Sequence, residues 1–333
     1  MKIIAKYILV CLAVILVCGT CIYAVREIRD QQKEYRSQFS RYYHIYAPEL
    51  PDKMDFAGES VPMDLFYVRE SLDREIMANT FMHSATILMF KRACRWFPVI
   101  EPILKKNGIP DDFKFLALAE SNFANAVSPS GAEGFWQFLK PTGKKYGLEI
   151  SEEVDERYNI EKSTEAACKY FQEAFLKYKN WTLVAASFNR GFEGMDMATE
   201  KQHIMDYYNL SLVDEASRYV YRILAMKQIY NNPVKYGFYL RQSDFYPPLP
   251  TYTVNVDSGI RDLPAFAQKM KINYRILKEF NPWLRRYTLT NKNAKTYILT
   301  LPEEETLSWE LLKKSLITSE TFFNDTLKID LAN

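Results

Sequence analysis

From Met63 onward, apolar residues recur at intervals of three and four through MDLFYVRESLDREIMANTFMHSATILMFKRACRWF. This spacing predicts amphipathic helices packed on one another. Pro98 and the turn Asn107-Gly108-Ile109-Pro110 punctuate the pattern. Beyond the turn, Asp111 and Asp112 suit a helix N-terminus, and Phe115 to Ala119 form an unbroken apolar run. A helix apolar all round is a buried one, and Glu120 stands at its end. Further helices are expected at about 161 to 179, 180 to 190 and 212 to 231, so that 63–240 reads as nearly all α.

The pattern changes on both sides of this region. Lys2 and Lys6 precede an uncharged run, YILVCLAVILVCGTCIYA from Tyr7 to Ala24, after which Arg26, Glu27, Arg29 and Asp30 restore polarity. The run is at the short end of the roughly 17 to 25 residues that span a bilayer, and the lysines before it favour a cytoplasmic N-terminus. Residues 1–24 therefore read as a membrane anchor or an export signal. Ile22 before Ala24 fits a cleavage site poorly, which favours the anchor. Residues 25–62 are polar without a clear period and predict a stalk. On the other side, NNPVKYGFYLRQSDFYPPLP carries four prolines and places a linker at 241–250. Beyond it TYTVNV and TYILTL alternate like strands and enclose two helical patterns, a βααβ unit over 251–302. The charged tail, 303–333, predicts no element.

Charge narrows the function classes. Lys and Arg total 43 against 41 Asp and Glu, a net +2 with no basic stripe, which argues against nucleic acid as a partner. Three histidines without HExxH leave little material for a metal site or a Ser-His triad, and no cofactor is expected. Of the five cysteines, Cys11, Cys18 and Cys21 lie in the N-terminal run. Cys94 and Cys168 are expected as small buried apolar groups and not as a bridge.

A chemistry run by carboxylates is the economical alternative. A carboxyl at the end of a buried helix has its charged form destabilised and its pKa raised, which is how a general acid for glycosidic cleavage is made. On Glu120 alone, that reading and a carboxylate merely exposed at a helix end are even. The segment SPSGAEGFWQFLKPTGKKYGL, Ser128 to Leu148, moves the balance. Gly131 and Gly134 permit special backbone geometry, while Trp136, Gln137 and Phe138 offer rings and an amide suited to an N-acetylated sugar.

Glu120-Ser121, SPSGAEGFWQF, FNRG at Phe188 to Gly191 and EASRYVYRILA at Glu215 to Ala225 together resemble glycoside hydrolase family 23. These are lytic transglycosylases with a goose-type lysozyme fold, and the similarity is greatest to their membrane-bound type D members. The fold this implies is mainly α, a lysozyme-like (goose-type) helical catalytic domain at 63–240 followed by a small βααβ lysin-motif-like unit. Glu120 would be the catalytic acid and base, with Ser121, Gln137, Asn189 and Tyr219 binding substrate beside it. The family has Tyr where this chain has Phe188. Asp155, Glu156, Arg157 and Glu215 also match family positions, but read as structural ion pairs.

The resemblance implies cleavage of the bond between N-acetylmuramic acid and N-acetylglucosamine in peptidoglycan. Capture by the muramyl 6-hydroxyl would give 1,6-anhydromuramyl ends without metal or cofactor. Glycan strands would be the partner, on the periplasmic side of the cell envelope, with the membrane reached through the N-terminal segment. Two other readings stand: a lysozyme-type muramidase, and a non-catalytic peptidoglycan-binding protein. The βααβ unit departs from a lysin motif at Ser258 to Leu263, so it either holds glycan weakly or only packs on the catalytic domain.

Overall fold

The computed structural model describes residues 2–42, 45–292 and 294–312. His44 and most of the unassigned tail, 313–333, lie outside the described residues. The chain divides after Ala47 into two compact units. The first is one helix, α1 (Lys2–Tyr42), which contains the apolar run and continues through the polar residues after it. Part of the expected stalk is therefore helical. Among the described residues no helix is long and apolar enough to cross a membrane, so the anchor expected at 1–24 is not shown by the structure.

The second unit is mostly helical, as the apolar spacing predicts. Its helices are α2 (Phe66–Phe81), α3 (His83–Lys106), α4 (Lys114–Ser121), α5 (Lys140–Lys145), α6 (Ile160–Tyr178), α7 (Trp181–Gln202) and α8 (Asp214–Asn231). α4 packs between α3 and α8, α2 lies along α8, and α6 joins α3 to α7. One apolar core connects them. Pro98 does not interrupt the pattern: α3 runs through Pro98 and Pro102. Phe97, Ile100 and Leu104 are buried around them, and this packing offsets the hydrogen bonds that the prolines remove.

The core also extends upstream of Met63. β1 (Asp55–Phe56) and β2 (Glu59–Ser60) form a short hairpin. Phe56 is buried against Phe113, with ring centroids 5.4 Å apart. The Glu59 carboxylate accepts the N–H groups of Trp181 (2.6 Å) and Thr182 (2.9 Å), where it caps the N-terminus of α7. The proline-rich segment is docked as well: Phe245 is buried, and Arg95 Nε donates to Pro247 O at 3.0 Å.

Beyond it, β3 (Thr251–Val256), α9 (Leu263–Lys269), α10 (Tyr274–Phe280) and β4 (Tyr297–Pro302) make the βααβ unit. The two strands pair antiparallel with Val254 opposite Leu299. Its core of Leu263, Leu277, Leu284, Leu299 and Leu301 includes Val154 and Tyr158 from the helical domain. Main-chain bonds seal the join: Asp155 N donates to Trp283 O (2.8 Å) and Arg285 N to Glu153 O (2.7 Å). Cys94 and Cys168 are buried free thiols, and burial pushes both up, to about 11 and about 12.

Leu284 is fully buried at this shared core. Leu284→Ala should lower stability by about 2 to 5 kcal/mol in urea titration; a loss of a few tenths would contradict the packing described.

Candidate functional site

Glu120 is the penultimate residue of α4, whose Phe115, Leu116, Ala117 and Leu118 are buried. The helix ends sharply because Asn122 takes the left-handed conformation (φ 48°) and returns its N–H to Leu118 O at 2.7 Å. Asn122 is fastened in turn to α3, accepting from Arg92 Nη1 at 2.9 Å. The Glu120 carboxyl is thus presented by a rigid, short element. It is half-buried, and the buried Tyr219 of α8 donates its hydroxyl to Glu120 Oε1 at 2.5 Å. Oε2 makes no hydrogen bond among the described residues.

Burial is the largest influence on the Glu120 proton and pushes its pKa from the usual carboxylate range up to about 7. The Tyr219 hydrogen bond and the charge of Arg222 oppose this, and the charge of Glu215 adds to it. Glu215 is solvent-exposed and pairs with Arg222 at 3.4 Å. α8 is set in place one residue before Tyr219, where Arg218 Nε meets the buried Glu75 of α2 at 2.7 Å. Sequence reasoning did not single out Glu75, Arg218 or Arg222. An acid among the apolar positions of the core face of α2 was the available signal for Glu75, and the spacing of basic residues around Tyr219 for the other two.

The glycine-rich loop is locked beside α4. Ser121 Oγ donates to Phe135 O at 2.9 Å, so it ties the loop to the helix. Gly134 has φ 80°, and a Cβ there would lie 2.0 Å from Arg157 O, which only glycine avoids. Gln137, also left-handed (φ 49°), spends its amide nitrogen on Ala126 O (3.0 Å) and Gly134 O (2.7 Å). Its side-chain oxygen makes no hydrogen bond among the described residues. Trp136 and Phe138 are buried and present no face to a ligand, contrary to the expectation that they would hold a sugar. Trp136 instead donates Nε1 to Thr164 Oγ1 at 2.9 Å.

Asp155, Glu156 and Arg157 are structural, as their charges suggested. Arg157 binds Asp155 through Nη2 (2.7 Å) and Nε (2.9 Å), reaches Glu133 at 2.9 Å, and donates Nη1 to Gly131 O and Phe138 O at 3.2 Å. Glu156 pairs with Lys162 and Lys295. Phe188 packs against Tyr170 (5.1 Å), Phe171 (5.2 Å) and Phe138 (5.5 Å), so its ring serves the core. Asn189 follows it, just before α7 breaks at Gly191 (φ 75°), and its side chain makes no hydrogen bond among the described residues. The structure therefore joins Glu120 to Tyr219 and Ser121 to the loop carrying Gln137, while Asn189 bonds to none of them. Among the described residues no group of His, Cys, Asp and Glu is placed to hold a metal ion.

Two family models match parts of the chain. Residues 97–210 match the transglycosylase SLT domain, and 252–305 match the soluble lytic transglycosylase C-terminal LysM-like domain. The chain carries both domains, in that order. It is similar to the membrane-bound lytic murein transglycosylase D of Escherichia coli strain K12 and that of Escherichia coli O6:H1 strain CFT073. Each is 27% identical over 279 residues, which cover 81% of this chain and 59% of the relative. The chain thus spans less than two thirds of the length of the relatives it matches.

The raised pKa has a stability consequence. Between about pH 4.5 and 7 folded Glu120 keeps a proton that the unfolded chain has released, so its contribution is most favourable below that window and is lost as pH rises through about 7. Glu120→Gln should match wild type near pH 4 and exceed it above pH 7 by up to about 3 kcal/mol. Urea midpoints across pH test this; a difference independent of pH would contradict it.

Proposed function

We propose that the chain is a peptidoglycan lytic transglycosylase, a carbon-oxygen lyase that cleaves the β-1,4 bond from N-acetylmuramic acid to N-acetylglucosamine. The observation that carries this reading is Glu120, a carboxyl with a pKa of about 7, one oxygen held by Tyr219 and the other unbonded. Because Tyr219 donates to Oε1, the acid proton resides on Oε2, the oxygen free to meet a glycosidic oxygen. Glu120 gives that proton to the departing sugar. The substrate's acetamido oxygen supports the positive charge at the anomeric carbon. Glu120, now ionised, removes the proton from the 6-hydroxyl as it attacks, leaving a 1,6-anhydromuramyl end. No second carboxylate, metal or cofactor takes part.

The other residues take different parts. Tyr219 orients Glu120, and Ser121 fixes the loop through Phe135 O. The Gln137 side-chain oxygen and the Asn189 amide remain for hydrogen bonds to the sugars. Hydrolysis by direct displacement would need a second carboxylate as base for water. Glu215 is the carboxylate whose charge reaches Glu120, but it is exposed and paired with Arg222. Glu133 is committed to Arg157.

Glu120→Gln should bind glycan yet lose activity by about 10²- to 10⁴-fold or more. Wild-type turnover should fall as pH rises through about 7. Mass spectrometry of digested peptidoglycan checks the products: reducing muramyl ends alone would replace transglycosylation with hydrolysis.

The site of action is the periplasmic side of the envelope, with the N-terminal segment as anchor or export signal. Lys2 and Lys6 before the uncharged run support this orientation, as does the membrane-bound description of the relatives. A reporter enzyme fused after Asn333 should be active outside the cytoplasm; activity inside alone would overturn it.

A further inference from the structure

Between the helical domain and the LysM-like domain lies a cavity of about 370 Å³, within the range of small-ligand sites. Arg92, Arg95 and Trp96 of α3 line one wall, Glu161 of α6 another, and Glu279 and Trp283 of the LysM-like domain close it. Both arginines are fixed by the main chain, Arg92 through Nη1 to Asn122 O and Arg95 through Nε to Pro247 O. The Arg95 guanidinium also lies over the Tyr246 ring at 5.3 Å. Neither arginine forms an ion pair with a carboxylate among the described residues, and Glu161 likewise has no cationic partner there. Burial lowers the pKa of Arg95 against the opposing charge of Glu279, and loss of hydration raises that of Glu161.

We propose that this cavity is a binding site for a short peptide bearing carboxylates and a free amine, the chemistry of the peptide stems that branch from peptidoglycan strands. The identification of the stem rests on the proposed function. Arg92 and Arg95 take carboxylates through their free guanidinium nitrogens, Glu161 takes the ammonium, and Trp96 packs on the intervening aliphatic chain. An N-acetylated glycan strand offers no ammonium for Glu161. Phe123 and Phe135 also line the cavity, and Phe135 O accepts from Ser121 Oγ, the residue after Glu120.

The test is calorimetric titration of the full chain with a synthetic sugar-free stem tetrapeptide containing D-glutamate and a diamino acid. Binding is expected at submillimolar concentration. Arg95→Gln should weaken it roughly 10- to 100-fold. Acetylating the diamino acid's amine should weaken binding to wild type, while Glu161→Gln should bind both peptides equally and weakly. Glu161→Gln removes no packing contact, so it guards against a misfolded Arg95 variant. No heat at millimolar peptide, or equal affinity for wild type and both variants, would overturn the site. Peptide binding by a chain that cleaves no glycan would leave the site standing and remove the proposed activity; cleavage without peptide binding would do the reverse.

Discussion

The contact between Tyr219 and Glu120 organises the site, because each group is tolerable in its place only through the other. A carboxyl set among apolar side chains loses hydration, and a buried phenol without a partner leaves an unsatisfied donor. Bringing them together at 2.5 Å satisfies the phenol and supports the carboxyl, without lowering its pKa to that of an ordinary surface acid. The result is a proton retained to about pH 7. This balance requires α4 and α8 to keep their spacing. The buried Glu75–Arg218 pair holds α8 to α2, and the left-handed turn at Asn122, anchored by Arg92, stops α4 at the right residue.

A second set of constraints locks the loop next to Glu120. Arg157 gathers Asp155, Glu133 and two loop carbonyls, while Gly134 lets the backbone of Arg157 approach where a side chain would collide. The same segment faces the LysM-like domain. The Asp155 carboxylate serves Arg157 while its N–H serves Trp283 O, and Glu149 meets Lys295 at 2.6 Å. One stretch of chain, 149–158, therefore braces the loop on one side and carries the second domain on the other.

The sequence by itself determined the helical class, the position of Glu120 and the βααβ unit. Each depends on local quantities: the spacing of apolar residues along 63–231, an acid closing the run Phe115 to Ala119, and alternation in TYTVNV and TYILTL. Ordered motifs supplied the rest of the resemblance. Where a residue's role depends on partners far along the chain, local pattern had no access to it. Phe56 and Glu59 lie in a polar stretch, yet one fills the core and the other caps a helix more than a hundred residues away.

Tertiary structure also decided which way each side chain of the site is used. Trp136 and Phe138 have the chemistry of a sugar platform, but the loop turns them inward; Gln137 keeps only its oxygen open because its nitrogen closes the loop. Pro98 marks a break by local rules, and packing of Phe97, Ile100 and Leu104 carries the helix through it. The prolines of 241–250 mark a linker, and Arg95 docks it. The sequence determined which groups were present and in what order. Only the fold decided which of them face a ligand, because that depends on hydrogen bonds and burial between segments that no local spacing records.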